Sequence, residues 1–412
     1  MSASGEEMSA RLLIRDLAQV ATPGGRNAPL RGAELGAVEV IEDAYVLCDG
    51  EQIARLGAMR DLEPIFGEVE ELDGRGLSAI PGLVDCHTHA CFAGDRVAEF
   101  ALRASGASYE ALHAAGGGIL STVQATREAG EAGLLAALDR HVAWMRHSGT
   151  TTFEAKSGYG LDRETELAQL RVIRATGGVP TWLGAHTVPP EFTDDGPAAY
   201  VDFLLAEVLP DAASLAEAAD VFLERGAFGV EDARRYLHAC RAAGLELRLH
   251  GDQFTEAGAI PLAIELRARS VDHLEITGPV GVAALAASDV TGVLLPASAL
   301  FLGRPMPPGR ALAEAGAAIA LATDFNPGSA FCESLPLICS LACTQLGLSP
   351  EQALTACTVN AAHVLARAER KGRLAPGYDA DIVLVGAEDW RHLAYHLGGP
   401  VVHTVVRGGL IV

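Results

Sequence analysis

Two histidines separated by one residue, His87-Thr88-His89, close the apolar run Ile80-Pro81-Gly82-Leu83-Val84-Asp85-Cys86. On a β-strand, residues two apart point to the same side, so both imidazoles can reach one ion. Alone the pair is a weak signal, since histidines two apart also occur on ordinary surfaces. Three further groups follow the ends of later apolar runs: His250 after Leu245-Glu246-Leu247-Arg248-Leu249, His273 after Ser270-Val271-Asp272, and Asp324 after Ala318-Ile319-Ala320-Leu321-Ala322-Thr323. Singly, each reads equally as a hydrogen-bonded structural residue. As a set, the imidazoles of His87, His89 and His250 with the carboxylate of Asp324 suit one divalent metal per chain, zinc or ferrous iron. An ion with one position left open binds water and lowers its pKa to ~7. Asp324 can serve both as ligand and as acceptor of that water's proton. His273, not required as a ligand, can polarise a substrate carbonyl or steady an oxyanion. Hydrolysis of an amide-like bond is the chemistry these parts support.

For such groups to meet, their runs must be strands whose C-terminal ends open on one side. Eight strand-like runs end near Cys86, Ala155, Ala185, Leu223, Leu249, Asp272, Leu295 and Thr323. Alanine-rich helical segments alternate with them: 133–147, 162–175, 198–209, 230–243 and 258–267. Eight alternating units imply parallel strands with right-handed crossovers, and the economical closure is an α/β fold of the (β/α)8 barrel type over residues 80–371. Before it, residues 10–79 carry short apolar runs punctuated by glycine, which is strand-and-turn chemistry. Past it, helices are expected over 333–346 and 349–370, and strand patterns return at 379–385 and 401–409. The two ends, 1–79 and 372–412, are therefore expected to pair as one small β-sandwich domain.

At 412 residues and 49% hydrophobic, the chain can build a large core, with aromatics only 5% of it. Lys+Arg number 31 against Asp+Glu 53, a formal net charge of -22. That balance argues against a nucleic-acid partner, which needs a basic face. An anionic substrate would need a local cation to overcome the global field. The eight cysteines form no C-x-x-C pair, which fits a reduced, cytoplasmic setting. No apolar run approaches membrane-spanning length, and the opening residues, to about Ser9, read as disordered.

The pattern of HxH on the first strand, histidines on the fifth and sixth, and aspartate on the eighth resembles the amidohydrolase superfamily. The tail Gly372-Arg373-Leu374-Ala375-Pro376-Gly377-Tyr378-Asp379-Ala380-Asp381-Ile382 resembles that superfamily's return into its split β domain. Members with two metals place a lysine or glutamate on strand four. Here Glu224 follows that run and Lys156 sits on the second, so one metal is expected, with Glu224 the residue that could overturn it. Within the superfamily, Glu154-Ala155-Lys156-Ser157-Gly158-Tyr159-Gly160-Leu161, Leu183-Gly184-Ala185-His186, Ala322-Thr323-Asp324-Phe325-Asn326-Pro327-Gly328-Ser329, Gly94-Asp95-Arg96 and the glycine-rich stretch 114–122 resemble the imidazolonepropionases of histidine degradation.

That resemblance implies ring opening of 4-imidazolone-5-propanoate, a small anionic heterocycle, to N-formimino-glutamate. It places Arg96 on the substrate carboxylate, Tyr159 and His186 along the ring and side chain, and Asn326, Gly328 and Ser329 in a polar loop beside the metal. Bland alternatives stand beside these: a salt bridge of Arg96 with Glu99, a packed rim for Tyr159, a barrel hydrogen bond for His186, an ordinary turn at 326–328. Gln253 stands where many relatives carry glutamate; it cannot ionise, and is assigned to substrate binding. Leu223 stands where many carry cysteine. Gly116-Gly117-Gly118 lacks the context of a phosphate loop and reads as a flexible loop at the mouth. A homodimer is the expected assembly. The competing readings are another amidohydrolase or aminohydrolase on a related heterocycle, and a non-catalytic metal- or ligand-binding barrel.

Overall fold

The computed structural model describes residues 11–25, 27–106 and 118–412. The opening stretch expected to be disordered and residues 114–117 of the glycine-rich stretch lie outside these.

Among the described residues, sixteen strands form two sheets. β1 (Arg11–Pro23), β2 (Val38–Asp49), β3 (Gln52–Ala58), β4 (Glu70–Asp73) and β5 (Ser78–Pro81) come from the N-terminal part, and β14 (Ile382–Val385), β15 (Val402–Arg407) and β16 (Leu410–Ile411) from the C-terminal part. They join as one mixed sheet in the order β16-β15-β14-β5-β1-β2-β3, with β4 on β1. The expected union of the two chain ends is therefore present as a continuous sheet. It bends until β3 and the turn before it reach the segment that enters β14: Ile53 N donates to Tyr378 O (2.9 Å) and Ala380 N to Glu51 O (2.7 Å). Leu12, Ile14, Val46, Ile53, Ile382, Leu384 and Val406 fill the enclosed core.

The second sheet holds β6 (Leu83–Asp85), β7 (Thr150–Lys156), β8 (Val179–Ala185), β9 (Ala218–Val221), β10 (Glu246–Gly251), β11 (Ser270–His273), β12 (Thr291–Leu294) and β13 (Ile319–Leu321), in sequence order around the ring. Every pairing is parallel. Except for Glu246 at the start of β10, all strand residues are buried, as a parallel sheet covered on both faces requires. The first and last strands meet just beyond their ends: Asp324 N donates to His87 O (3.1 Å) and His89 N to Phe325 O (3.0 Å).

The helices start where capping chemistry allows. Asp162 accepts from Thr165 N to open the helix Arg163–Ala175, and Ser349 with Gln352 makes a reciprocal capping box for Pro350–Ala356. Leu167, Leu170 and Ile173 bury the inner face of the first, each contributing ~1.5–3 kcal/mol of transfer free energy. Three helices differ from expectation, the one expected over 198–209 running instead from Gly196 to Leu215 through a π segment at Leu204–Val208. The one expected over 133–147 begins earlier, as Ile119–His147, kinked at Gly130, whose φ of 60 leaves the helical region. The long helix expected over 349–370 breaks at Thr358 (φ -126, ψ -94) into Pro350–Ala356 and Val359–Val364.

Candidate metal and substrate site

His87, His89, His250, His273 and Asp324 are all buried at the C-terminal mouth of the barrel. The parallel ladders put them there: His250 lies within β10, His273 ends β11, and the backbone bonds between His87 and Asp324 hold the first and eighth strand ends together. Nε2 of His87 and Nε2 of His89 each lie 3.5 Å from Asp324 Oδ1, and Nε2 of His89 lies 3.1 Å from Nε2 of His250.

The opposite side of two rings explains their orientation. His87 Nδ1 donates to Asp272 Oδ2 (2.6 Å) and His250 Nδ1 to Asp220 Oδ1 (3.0 Å). A carboxylate on Nδ1 fixes the proton there and turns a lone pair on Nε2 inward. Burial, with the neighbouring positive charges, keeps His87 and His89 well below the ordinary histidine range, and burial takes His250 down to about 3 against the pull of Asp220. The rings are therefore neutral bases. His87 Nε2 has no hydrogen-bond partner among the described residues although it is buried. Converging imidazole lone pairs beside a carboxylate are what a divalent cation requires, so these residues fit a metal.

Below this cluster lies a buried charge network. Lys156 Nζ pairs with Glu154 Oε1 (2.7 Å) and Asp220 Oδ2 (2.9 Å), and Arg248 Nη1 reaches Glu154 Oε1 (2.9 Å). Burial disfavours the charge on Asp220, but His250 and Lys156 outweigh it and hold its carboxylate below the usual range. His273 is also drawn two ways. Burial lowers it, yet Glu275 Oε1 at 3.2 Å, assisted by Asp324, carries it up to about 9. Burial pushes Asp324 itself up to about 6.

Above the cluster opens a cavity of about 450 Å³ bordered by Arg96, Tyr159, His186, Gln253, Asn326, Gly328 and Ser329, with His273 and Asp324 at its floor. His186 donates from Nδ1 to Gly158 O (2.9 Å) and stacks on His89 at 5.2 Å. Asn326 spends its side chain on its own turn: Nδ2 donates to Asp324 O (2.6 Å) and Ser329 Oγ (2.8 Å), while Oδ1 accepts from Gly328 N and Ser329 N. Arg96 does form the ion pair with Glu99, through Nε (2.8 Å) and Nη2 (2.5 Å). Its Nη1 lies against Gly328, where a Cβ would stand 2.2 Å away. Glycine at 328 thus makes room for the guanidinium.

The amidohydrolase family model matches residues 78–412. The imidazolonepropionase of Rubrobacter xylanophilus is 60% identical over 408 residues, covering 97% of each chain, and that of Deinococcus radiodurans is 45% identical, covering 96% of this chain and 98% of its own. The chain belongs to the imidazolonepropionase family. Two solved structures share the fold at low identity: a zinc-bound adenosine deaminase from Xanthomonas campestris (17% identical, TM-score 0.69, 98% of this chain and 93% of that one) and guanine deaminase of E. coli (13%, TM-score 0.68, 98% and 99%).

Set among imidazolonepropionases, the site brings together every residue anticipated for metal or substrate. His273 also lies within reach of a shared ion with His87 and His250. Glu224 is elsewhere engaged: it accepts from Arg225 N, Phe254 N and Thr255 N and borders neither cluster nor cavity. Sequence reasoning missed Asp220, Asp272, Glu154, Arg248 and Glu275. A signal for the first two was available, an acid inside an otherwise apolar buried run.

Proposed function

We propose that the chain hydrolyses 4-imidazolone-5-propanoate to N-formimino-L-glutamate through one ion, zinc or ferrous iron, held by His87, His89, His250 and Asp324. The observation that carries this is the grouping of His87, His89 and Asp324, with His250 3.1 Å from His89 and with His87 and His250 aimed by Asp272 and Asp220. When bound, such an ion supplies a Lewis acid and brings the pKa of water toward ~7.

The residues divide the remaining work. His273, protonated through Glu275, presents an N–H to the ring carbonyl at the cavity floor and stabilises negative charge developing on its oxygen. Asp324 is the carboxylate at the cavity floor, placed to accept a proton. Ser329 Oγ, 3.3 Å from Asp324 Oδ2, orients that carboxylate. Arg96 meets the propanoate with Nη1. Tyr159 and His186 pack along the ring, and Gln253 offers it both a donor and an acceptor.

The reading carries with it a cytoplasmic homodimer, which sedimentation of the purified chain tests. The decisive assay is product analysis with synthetic imidazolone propanoate. N-formimino-L-glutamate without free ammonia is expected; released ammonia would make the chain an aminohydrolase, and no turnover with zinc or iron would overturn the proposal.

A further inference from the structure

We infer that Arg103 is a second carboxylate anchor of the active-site cavity, supplying the net positive charge that draws an anionic substrate in. The inference rests on the substrate class proposed above and deepens it. Arg96, at the start of the helix Val97–Ala104, is followed at helical spacing by Glu99 and Arg103, so the three share one side. All three border the cavity.

Their charges are not equally free. Both oxygens of Glu99 are taken by Arg96, and Oε2 also accepts from Gly118 N (2.8 Å). Arg96 is thereby neutralised, although its Nη1 remains as a directional donor. Arg103 holds no carboxylate at ion-pair distance among the described residues. Among the described residues its side chain makes no hydrogen bond or ion pair; its guanidinium lies 4.6 Å over the ring of Phe301 and 5.9 Å from that of Phe100. Those rings stack on each other at 5.5 Å. A cation on aromatic faces is held in place while its charge stays unspent.

On this helix edge two arginines and one glutamate leave one surplus positive charge, and Arg103 is the arginine outside the ion pair. In a chain of formal net charge -22, that surplus is what a ligand with one carboxylate on a short arm would recognise. Arg96 then sets the carboxylate's orientation, and Arg103 balances its charge.

The experiment is steady-state kinetics of the zinc-loaded full-length chain and its R103Q and R103K variants, using imidazolone propanoate and its uncharged methyl ester. Loss of one charge at close range in a partly screened cavity raises KM roughly tenfold. R103Q is expected to show that rise for the carboxylate alone, with kcat within about twofold, and a weaker dependence of kcat/KM on salt. R103K, which keeps the charge, is expected to stay within about threefold of the parent. An unchanged KM in R103Q, an equal rise for acid and ester, or an R103K variant as impaired as R103Q would each overturn the inference. Should the parent chain fail to open imidazolone propanoate, the substrate reading falls separately. Calorimetric binding of 3-(imidazol-4-yl)propanoate then decides the point: about tenfold weaker binding to R103Q supports the anchor, and equal binding refutes it.

Discussion

Replacing Asp220 with asparagine should weaken metal binding, chain stability or both, because one carboxylate serves the two. Asp220 Oδ1 holds the Nδ1 proton of His250 at 3.0 Å and Oδ2 holds Lys156 Nζ at 2.9 Å. An asparagine has one acceptor oxygen, so one of those two donors must face an amide N–H₂. If His250 loses its partner, the ring loses its fixed tautomer and some basicity at Nε2, an effect of roughly ten- to hundredfold in metal affinity, or about 1.4–2.7 kcal/mol. If Lys156 loses it, a buried ammonium is left with Glu154 alone at 2.7 Å. Breaking a buried pair costs about 3–5 kcal/mol, and the surviving partner places this case near about 3 kcal/mol. The assay pairs a zinc titration against a chromophoric chelator with urea unfolding of the metal-free protein. D220N should show a higher Kd, a lower unfolding midpoint, or both. A variant matching the parent in each, within twofold in Kd and within error in midpoint, would refute the role given to this carboxylate.

Other outcomes follow from the same geometry. His273→Ala should lower kcat by at least about a hundredfold while metal content stays near one ion per chain by elemental analysis; loss of the ion would make His273 a ligand. Gly328→Ala puts a Cβ 2.2 Å from Arg96 Nη1, so KM should rise about tenfold with a smaller change in kcat. Glu275→Gln removes what raises His273 to about 9 against burial, so its protonated fraction falls at a given pH. kcat should then drop about tenfold near pH 8 and recover as pH is lowered; identical pH profiles for parent and variant would sink that assignment. Dialysis against a chelator should abolish turnover, and added zinc or ferrous iron should restore it.

The barrel was legible because each parallel strand is buried on both faces and most therefore read as short, largely apolar runs, such as Val179–Ala185 and Ile319–Leu321. The residues proposed as its ligands were legible because they stand at the ends of those runs. Less accessible were contacts made across the barrel between strands far apart in sequence. Asp220 and Asp272 counted only as members of their strands, and nothing local says which imidazole each one meets. Lys156, set aside as misplaced for bridging two ions, proves to be the counter-ion of Glu154 and Asp220. The Arg96–Glu99 pair stood among the bland alternatives, whereas the seating of Arg103 on Phe301 depends on how the helix Val97–Ala104 meets the helix Pro296–Leu302. Thr358 broke an expected helix because its hydroxyl turns back to Leu354 O (2.5 Å), a local competition that a periodic pattern does not register.

The ring's seam has one more implication. The first and eighth strands are joined by the backbone around Thr88 and Phe325 and by Asp85, which accepts from Thr323 N and Oγ1; these segments are separated by more than half the chain, and His87, His89 and Asp324 flank the junction. An ion gripping all three doubles as a clasp, so withdrawing it should loosen the barrel there first, visible as faster hydrogen exchange at the amides of His89 and Asp324. Joining such distant segments is a late and slow event in folding. A newly made chain would therefore gain its chemistry only when the circle shuts, and no half-built barrel could attack a cellular amide by mistake.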